Sequence, residues 1–256
     1  MADEDFGKRL FFINPPAILS EFANELWNLE IEAYSIPESA NLPAYLRDNP
    51  NALVFHAFEP EKSSLALLKQ KLASYRSDEK LKAIGIGLFS VRDLTRQFNE
   101  IKESLDVDCG YFTITDKNRV LQNLLQICAH KQVRGRRKYI RVSCPRDYSQ
   151  FNCELGGKTI RGFLLDFSKA GMAVVFENMA PPALNTKLTN IQLKLYGTIV
   201  TLDGVIFKTD TTKLESTGQS IAVILFVPAS IDKIKEEKMH AFIQRKLQKD
   251  LEALIF

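Results

Sequence analysis

Two short apolar runs constrain this chain more than anything else in it. "ALVFHAF" (52–58) and "KAIGIGLF" (82–89) are continuous rather than alternating. A strand buried on one face alternates apolar and polar residues, whereas a strand buried on both faces does not. Such strands belong to parallel sheets, whose neighbours must be joined by long crossovers, usually helices. The surrounding sequence supplies both parts. "RLFFIN" (9–14), "IEAYSI" (31–36) and "CGYFTIT" (109–115) read as three further strands. Apolar residues at helical spacing mark "PAILSEFANELWNL" (16–29), "EKSSLALLKQKLASYR" (61–76), "RDLTRQFNEIKES" (92–104) and "KNRVLQNLLQICAHKQ" (117–132). "SANLPAYLRD" (39–48) reads as a short helix interrupted by Pro43. Strands alternating with helices predict a doubly wound α/β domain over residues 1–130.

The period changes in the second half. From Ser149 onward, "SQFNCEL", the turn "GG", "KTIRGFLLDFS", "GMAVVFEN", "TNIQLKLYG", "TIVTLDGVIFKTD" and "QSIAVILFV" follow one another closely. Short strands separated by Gly, Asn and Asp turns predict a small antiparallel β-barrel, and no long edge carries Pro or a lysine row. The second domain is therefore all-β and spans 131–256. A last helix is expected to start at Ser230, a natural N-cap, with Ile231, Ile234, Phe242, Leu247, Leu251 and Leu254 near one stripe. About 25 residues make a helix roughly 38 Å long. That exceeds a small barrel, so part of it is expected to meet the first domain or a second protomer. A homodimer through this helix stays open.

Composition excludes several classes. A net charge of +3 gives no global field toward nucleic acid or membrane, and no apolar run approaches a membrane span. The opening "MADEDFGKRLFF" is acidic before its apolar run, the reverse of a secretory signal. Cys109, Cys128, Cys144 and Cys153 lack CxxC spacing and read as thiols of a reducing cytoplasm. Catalysis finds little support. His56, His130 and His240 form no metal-binding pair, "GIG" (85–87) lacks the rest of a phosphate loop, and there is no GxSxG. Glu59 and Glu61 read as the start of a helix, where acids suit the dipole. The expectation is a protein that is not an enzyme, uses no cofactor and binds no metal.

In size and order the first half resembles the receiver domains of bacterial two-component signalling. That resemblance implies an acidic pair after the first strand and an Asp ending the third. Here those places read "INPP" and "FHAFEP", so both acid sites are missing. Ser90 and Lys117 fall roughly where receivers keep a hydroxyl and a lysine, but two such residues hold no Mg²⁺ without carboxylates. They read as ordinary loop residues.

The most pointed feature is local. "RGRRKYIR" (134–141) puts five cations into eight positions with no acid between them. A local patch implies a local anion. Downstream, "DFSKAG" (166–171) falls at a turn between two barrel strands. Asp166 can accept two hydrogen bonds at once, and Ser168 can donate one and accept others. Gly171 permits positive φ or close approach of a ligand to the backbone. The plain alternative is an Asp/Ser/Gly turn that only closes a hairpin.

Arg137-x-x-x-Arg141 followed by Asp166-x-Ser168-x-x-Gly171, across the first strands of a small barrel, resembles the PilZ domain. The resemblance covers roughly residues 131 to 256, and the ordered pair is more specific than either part. It implies binding of the bacterial second messenger cyclic di-GMP at Arg136, Arg137, Arg141, Asp166, Ser168 and Gly171, with Arg134 and Lys169 as additional candidates. The chemistry fits independently. Arginine forks onto phosphate oxygens and onto guanine O6 and N7, and its plane stacks on a base. A carboxylate accepts from guanine N1–H and the exocyclic amine together. Arg136 directly precedes the first motif arginine, an arrangement that in the family is similar to cases holding an intercalated ligand pair; an Arg136 that only faces solvent, with a single ligand bound, is the equally open alternative. The expected function is a cyclic di-GMP effector with Gly135 as a hinge, in which ligand reorients the first domain toward an unnamed protein partner. Two other classes stay open: a ligand-silent scaffold, and a nucleic-acid binder, which would leave Asp166 unexplained.

Overall fold

The computed structural model describes residues 7–38, 40–59, 64–114, 116–134, 137–144, 149–210 and 220–256. The chain divides into two compact units, Met1–Lys138 with Asp250–Phe256, and Tyr139–Lys249.

The first unit contains β1 (Arg9–Ile13), α1 (Ala17–Asn28), β2 (Ala33–Ile36), α2 (Leu42–Asp48), β3 (Ala52–Ala57), α3 (Leu65–Ser77), β4 (Gly85–Ser90), α4 (Thr95–Ser104), β5 (Tyr111–Thr113) and α5 (Lys117–His130). All strand pairs are parallel, in the order β2-β1-β3-β4-β5. This is the doubly wound sheet expected from the unbroken apolar runs, and every residue of β4 is buried. Leu10, Phe12, Leu53, Phe55 and Phe89 meet Leu19, Phe22 and Leu26 of α1 and Val120, Leu124 and Cys128 of α5. Each such buried Leu or Phe contributes about 1.5–3 kcal/mol.

Three local expectations change. Pro43 does not interrupt α2 but stands in its first turn, where its missing N–H costs nothing. α3 begins at Leu65, capped by the Ser64 hydroxyl accepting from Leu67 N–H, rather than at Glu59 and Glu61; Glu61 lies outside the described residues. The unit boundary falls after Lys138 rather than at 130/131. The residues following α5 stay bonded to this unit, with Val133 N–H donating to Cys128 O at 2.8 Å and Lys8 N–H donating to Val133 O at 2.7 Å.

The second unit contains β6 (Val142–Ser143), β7 (Ser149–Leu155), β8 (Lys158–Ser168), β9 (Gly171–Phe176), β10 (Lys187–Leu195), β11 (Thr198–Asp210), β12 (Ile221–Phe226) and a 3-10 turn at Pro228–Ser230, and it begins α6 (Lys233–Ile255). The order β8-β7-β10-β11-β12-β9 closes through β8–β9 into a six-stranded antiparallel barrel, with β6 added beside β8. The hairpin between β7 and β8 turns on Gly156 (φ 57°) and Gly157 (φ 74°), the left-handed pair that a two-residue turn requires. Phe167 of β8 stands 5.5 Å from Phe242 of α6 and 5.9 Å from Phe226 of β12, centroid to centroid.

α6 starts later than expected. Ser230 donates to Val227 O at 2.7 Å inside the 3-10 turn, while Asp232 accepts from Lys235 N–H at 2.9 Å in the manner of an N-cap. Its buried face is Met239, Phe242, Ile243, Lys246, Leu251 and Ile255, whereas Ile234 and Leu254 of the expected stripe are exposed. Asp250–Phe256 belongs to the first unit, where Asn41 N–H donates to Ile255 O at 3.0 Å.

Candidate functional site at the barrel rim

The two basic and acidic motifs meet through a strand only two residues long. β6 runs antiparallel to the end of β8, with Val142 opposite Phe167 and Ser143 opposite Asp166. Val142 and Phe167 are buried and anchor the pair. Arg141, just before β6, is thereby brought to Asp166, and its Nη1 lies 3.8 Å from Asp166 Oδ2. The β8–β9 register shifts between Leu164 and Asp166. Such a bulge re-aims the side chain that follows it. Asp166 Oδ1 accepts from Ala173 N–H at 3.2 Å, which leaves the Oδ2 side toward Arg141. The side chains of this pair stay 46% and 37% exposed, so the contact is worth only about 0–1 kcal/mol.

Ser168 is tied into the turn between β8 and β9. It is buried, donates to Gly171 O at 3.1 Å and accepts from Ala170 N–H at 3.4 Å. Its single donor is committed to the turn, so it shapes the rim. Gly171 also has a structural reason. Its φ is not in the left-handed region, and a Cβ there would overlap the Ile224 carbonyl oxygen of the neighbouring β12. The close approach that excludes a side chain is made by a strand.

Lys169, at the tip of the same turn, reaches Glu236 Oε1 of α6 at 3.4 Å and stands 5.4 Å over the Tyr139 ring. Neither Tyr139 nor Glu236 is marked by the motifs. Tyr139 lies inside Arg137-x-x-x-Arg141 and could have been noticed there. Glu236 lies 67 positions from Lys169 with no sequence signal joining them.

Arg134 belongs to the first unit. Its Nη2 donates to Leu29 O at 2.6 Å, at the C-terminus of α1, where a cation suits the dipole. Arg137 belongs to the first unit by its position in the chain and is half-buried. Gly135 and Arg136 lie outside the described residues, as does the Lys117 side chain. Ser90 accepts from Arg92 N–H at 3.1 Å and serves a turn. None of the four cysteines forms a disulfide; burial pushes the Cys109 thiol up to about 12 and those of Cys128 and Cys153 up to about 11. Among the described residues no group of three or more His, Cys, Asp or Glu could hold a metal ion, and no helix is long and apolar enough to cross a membrane.

No family model matches the chain, and no curated protein matches it. Solved structures do, over the C-terminal half. The PilZ domain of YcgR from Escherichia coli with cyclic di-GMP is 20% identical, with a TM-score of 0.40, covering 46% of this chain and 97% of that one. The MrkH–cyclic di-GMP complex of Klebsiella pneumoniae is 16% identical, with a TM-score of 0.38, covering 47% of this chain and 56% of that one. PlzA of Borreliella burgdorferi with cyclic di-GMP is 11% identical, with a TM-score of 0.30, covering 52% of this chain and 50% of that one. The matched region spans about half the length of the last two proteins.

Proposed function

We propose that the barrel unit is a receptor for cyclic di-GMP and that the chain is a signalling effector rather than an enzyme. The observation that carries this reading is the Arg141–Asp166 approach of 3.8 Å, which joins a phosphate- and guanine-seeking cation to a carboxylate suited to guanine. In the free protein the two groups neutralise each other. On binding, Arg141 turns to a phosphate or to guanine O6 and N7, while Asp166 accepts from guanine N1–H and its amine. The exchange gives up about 0–1 kcal/mol and gains charge-assisted bonds worth about 1.5–3 kcal/mol each. Ser168 and Gly171 hold the turn in shape, and Lys169 adds a cation at its tip.

Arg137 is assigned here to the phosphates, on its sequence position. Arg136, on the same ground, is assigned to a second ligand molecule. Two cyclic di-GMP molecules bring four phosphate charges together, and a further guanidinium offsets their repulsion and stacks on an outer base. The native chain is then expected to bind two ligands per protomer and Arg136→Leu one. The downstream event, reorientation of the α/β unit toward a protein partner, follows from neutralising the 134–141 segment.

Calorimetric titration tests the reading. Cyclic di-GMP should bind at about micromolar Kd or tighter, near −8 kcal/mol, while GMP and GTP give no comparable heat. A folded protein that gives no heat with cyclic di-GMP is a ligand-silent barrel, in which the Arg141–Asp166 pair is only structural.

A further inference from the structure

The α/β unit has its own cleft, distinct from the barrel rim. In the order β2-β1-β3-β4-β5 the chain leaves β1 toward β2 on one side and returns to β3 on the other. At such a reversal the loops after the two strands diverge and leave a crevice beyond their C-terminal ends. Here the crevice has a volume of about 560 Å³ and is lined by Asn14, Glu38, His56, Phe58, Leu68 and Lys71, among others. That volume suits a small organic molecule.

His56 is the feature that asks for a ligand. It is 2% exposed, and its Nε2 has no hydrogen-bond partner. It pairs in register with Ile13, the last residue of β1, so it stands at the floor of the crevice beside Asn14. A buried polar nitrogen without a partner is uncommon, because it forgoes the bond it had in water. The other polar groups are satisfied. Lys71 is bonded to Glu38, Glu38 Oε2 accepts from Asn14 Nδ2 at 2.8 Å, and Asn14 Oδ1 accepts from Glu38 N–H at 2.8 Å.

The charge of the lining selects among ligands. Among the described residues that line it, Lys71 is the one cation and already faces a carboxylate, and Glu59 adds a second. Burial, then the charge of Lys71, pushes the His56 imidazole down to about 3, so it brings no charge at neutral pH. A phosphate or a dicarboxylate would meet more negative charge than positive. Phe58 and Leu68 provide apolar wall instead. We propose that the β1/β3 crevice binds a small uncharged nitrogen heterocycle, whose ring edge supplies the hydrogen bond His56 Nε2 lacks and whose body packs on Phe58 and Leu68.

The test is NMR of the His56 ring in the full-length protein, titrated separately with adenine, nicotinamide, inorganic phosphate and acetate. At least one heterocycle should shift the His56 signals saturably at about millimolar concentration, with intermolecular NOEs to Phe58. His56→Phe should weaken that binding tenfold or more, and Arg141→Ala should leave it unchanged. Should His56→Phe fail to fold, the shifts and NOEs of the native protein still decide. Saturable shifts with phosphate or acetate alone would make the crevice an anion site. No shift with either heterocycle, or equal binding by a folded His56→Phe variant, would also overturn the proposal.

Discussion

Asp108 in the α/β unit and Asp166 on the barrel are both partnered by cations, and the partnerships differ in kind. Asp108 Oδ1 accepts from Ile86 N–H at 2.8 Å and from Arg76 Nη2 at 3.1 Å, and Oδ2 takes the Lys131 ammonium. Burial would push its carboxyl up, but the Lys131 bond, the Ile86 N–H and the charges of Lys131 and Arg76 hold it below the usual carboxylate value. Among the described residues, Asp166 has one backbone donor and one loose, half-exposed cation. A carboxylate closely held from several sides is part of the fold. One with a spare oxygen and a weakly held arginine can exchange partners. Charge content alone does not separate the two; the number and closeness of the partners does.

Substitution at Asp108 should be the most costly. Asp108→Ala leaves Lys131, Arg76 and the Ile86 N–H without their shared acceptor and should cost about 2 kcal/mol in urea unfolding. Because the folded carboxyl is depressed, its stabilisation is complete above the ordinary carboxylate range and is lost only as pH falls through the folded value. Asp108→Asn should remove that acid limb. Loss of less than about 1 kcal/mol in Asp108→Ala would mean that the cluster is no more structural than the rim.

His56, unlike either aspartate, is a buried group whose Nε2 has no hydrogen-bond partner. Unfolded, it takes a proton near 6.5; folded, only near 3. Stability is therefore complete above about pH 6.5 and drains as pH falls toward 3. Between about pH 6.5 and 5 the loss should be roughly 2 kcal/mol, and His56→Leu should flatten it. A native chain equally stable at both pH values would mean that the imidazole is not desolvated.

Smallest is the rim itself. Arg141→Ala and Asp166→Ala should each change stability by less than about 1 kcal/mol, a shift that further shrinks in high salt. A loss comparable to that of Asp108→Ala would make Asp166 another structural carboxylate.

Much of this was legible in sequence, because it rests on local patterns. Unbroken apolar runs marked β3 and β4, and the strand spacing after Ser149 marked the barrel. Asp166 and Arg141 were singled out by the spacing of their motifs, and their side chains lie 3.8 Å apart. What escaped depends on distant contacts or on choices between similar residues. β6 is too short for any period, yet it joins the two motifs. The buried face of α6 was misjudged because several apolar stripes fit one long helix. Ser230 and Asp232 are equally good caps by composition, and only the preceding 3-10 turn decides between them. The Leu29 carbonyl that draws Arg134 is 105 residues away in the chain.

The proposed ligand site at the Arg141–Asp166 rim has one rival, a purely structural ion pair. Calorimetric titration of cyclic di-GMP into native, Arg141→Ala and Asp166→Ala proteins of matched stability separates the two. Each variant should bind about 30-fold more weakly than the native chain, a loss of about 2 kcal/mol. Equal affinity in all three proteins would make the Arg141–Asp166 contact a structural ion pair only.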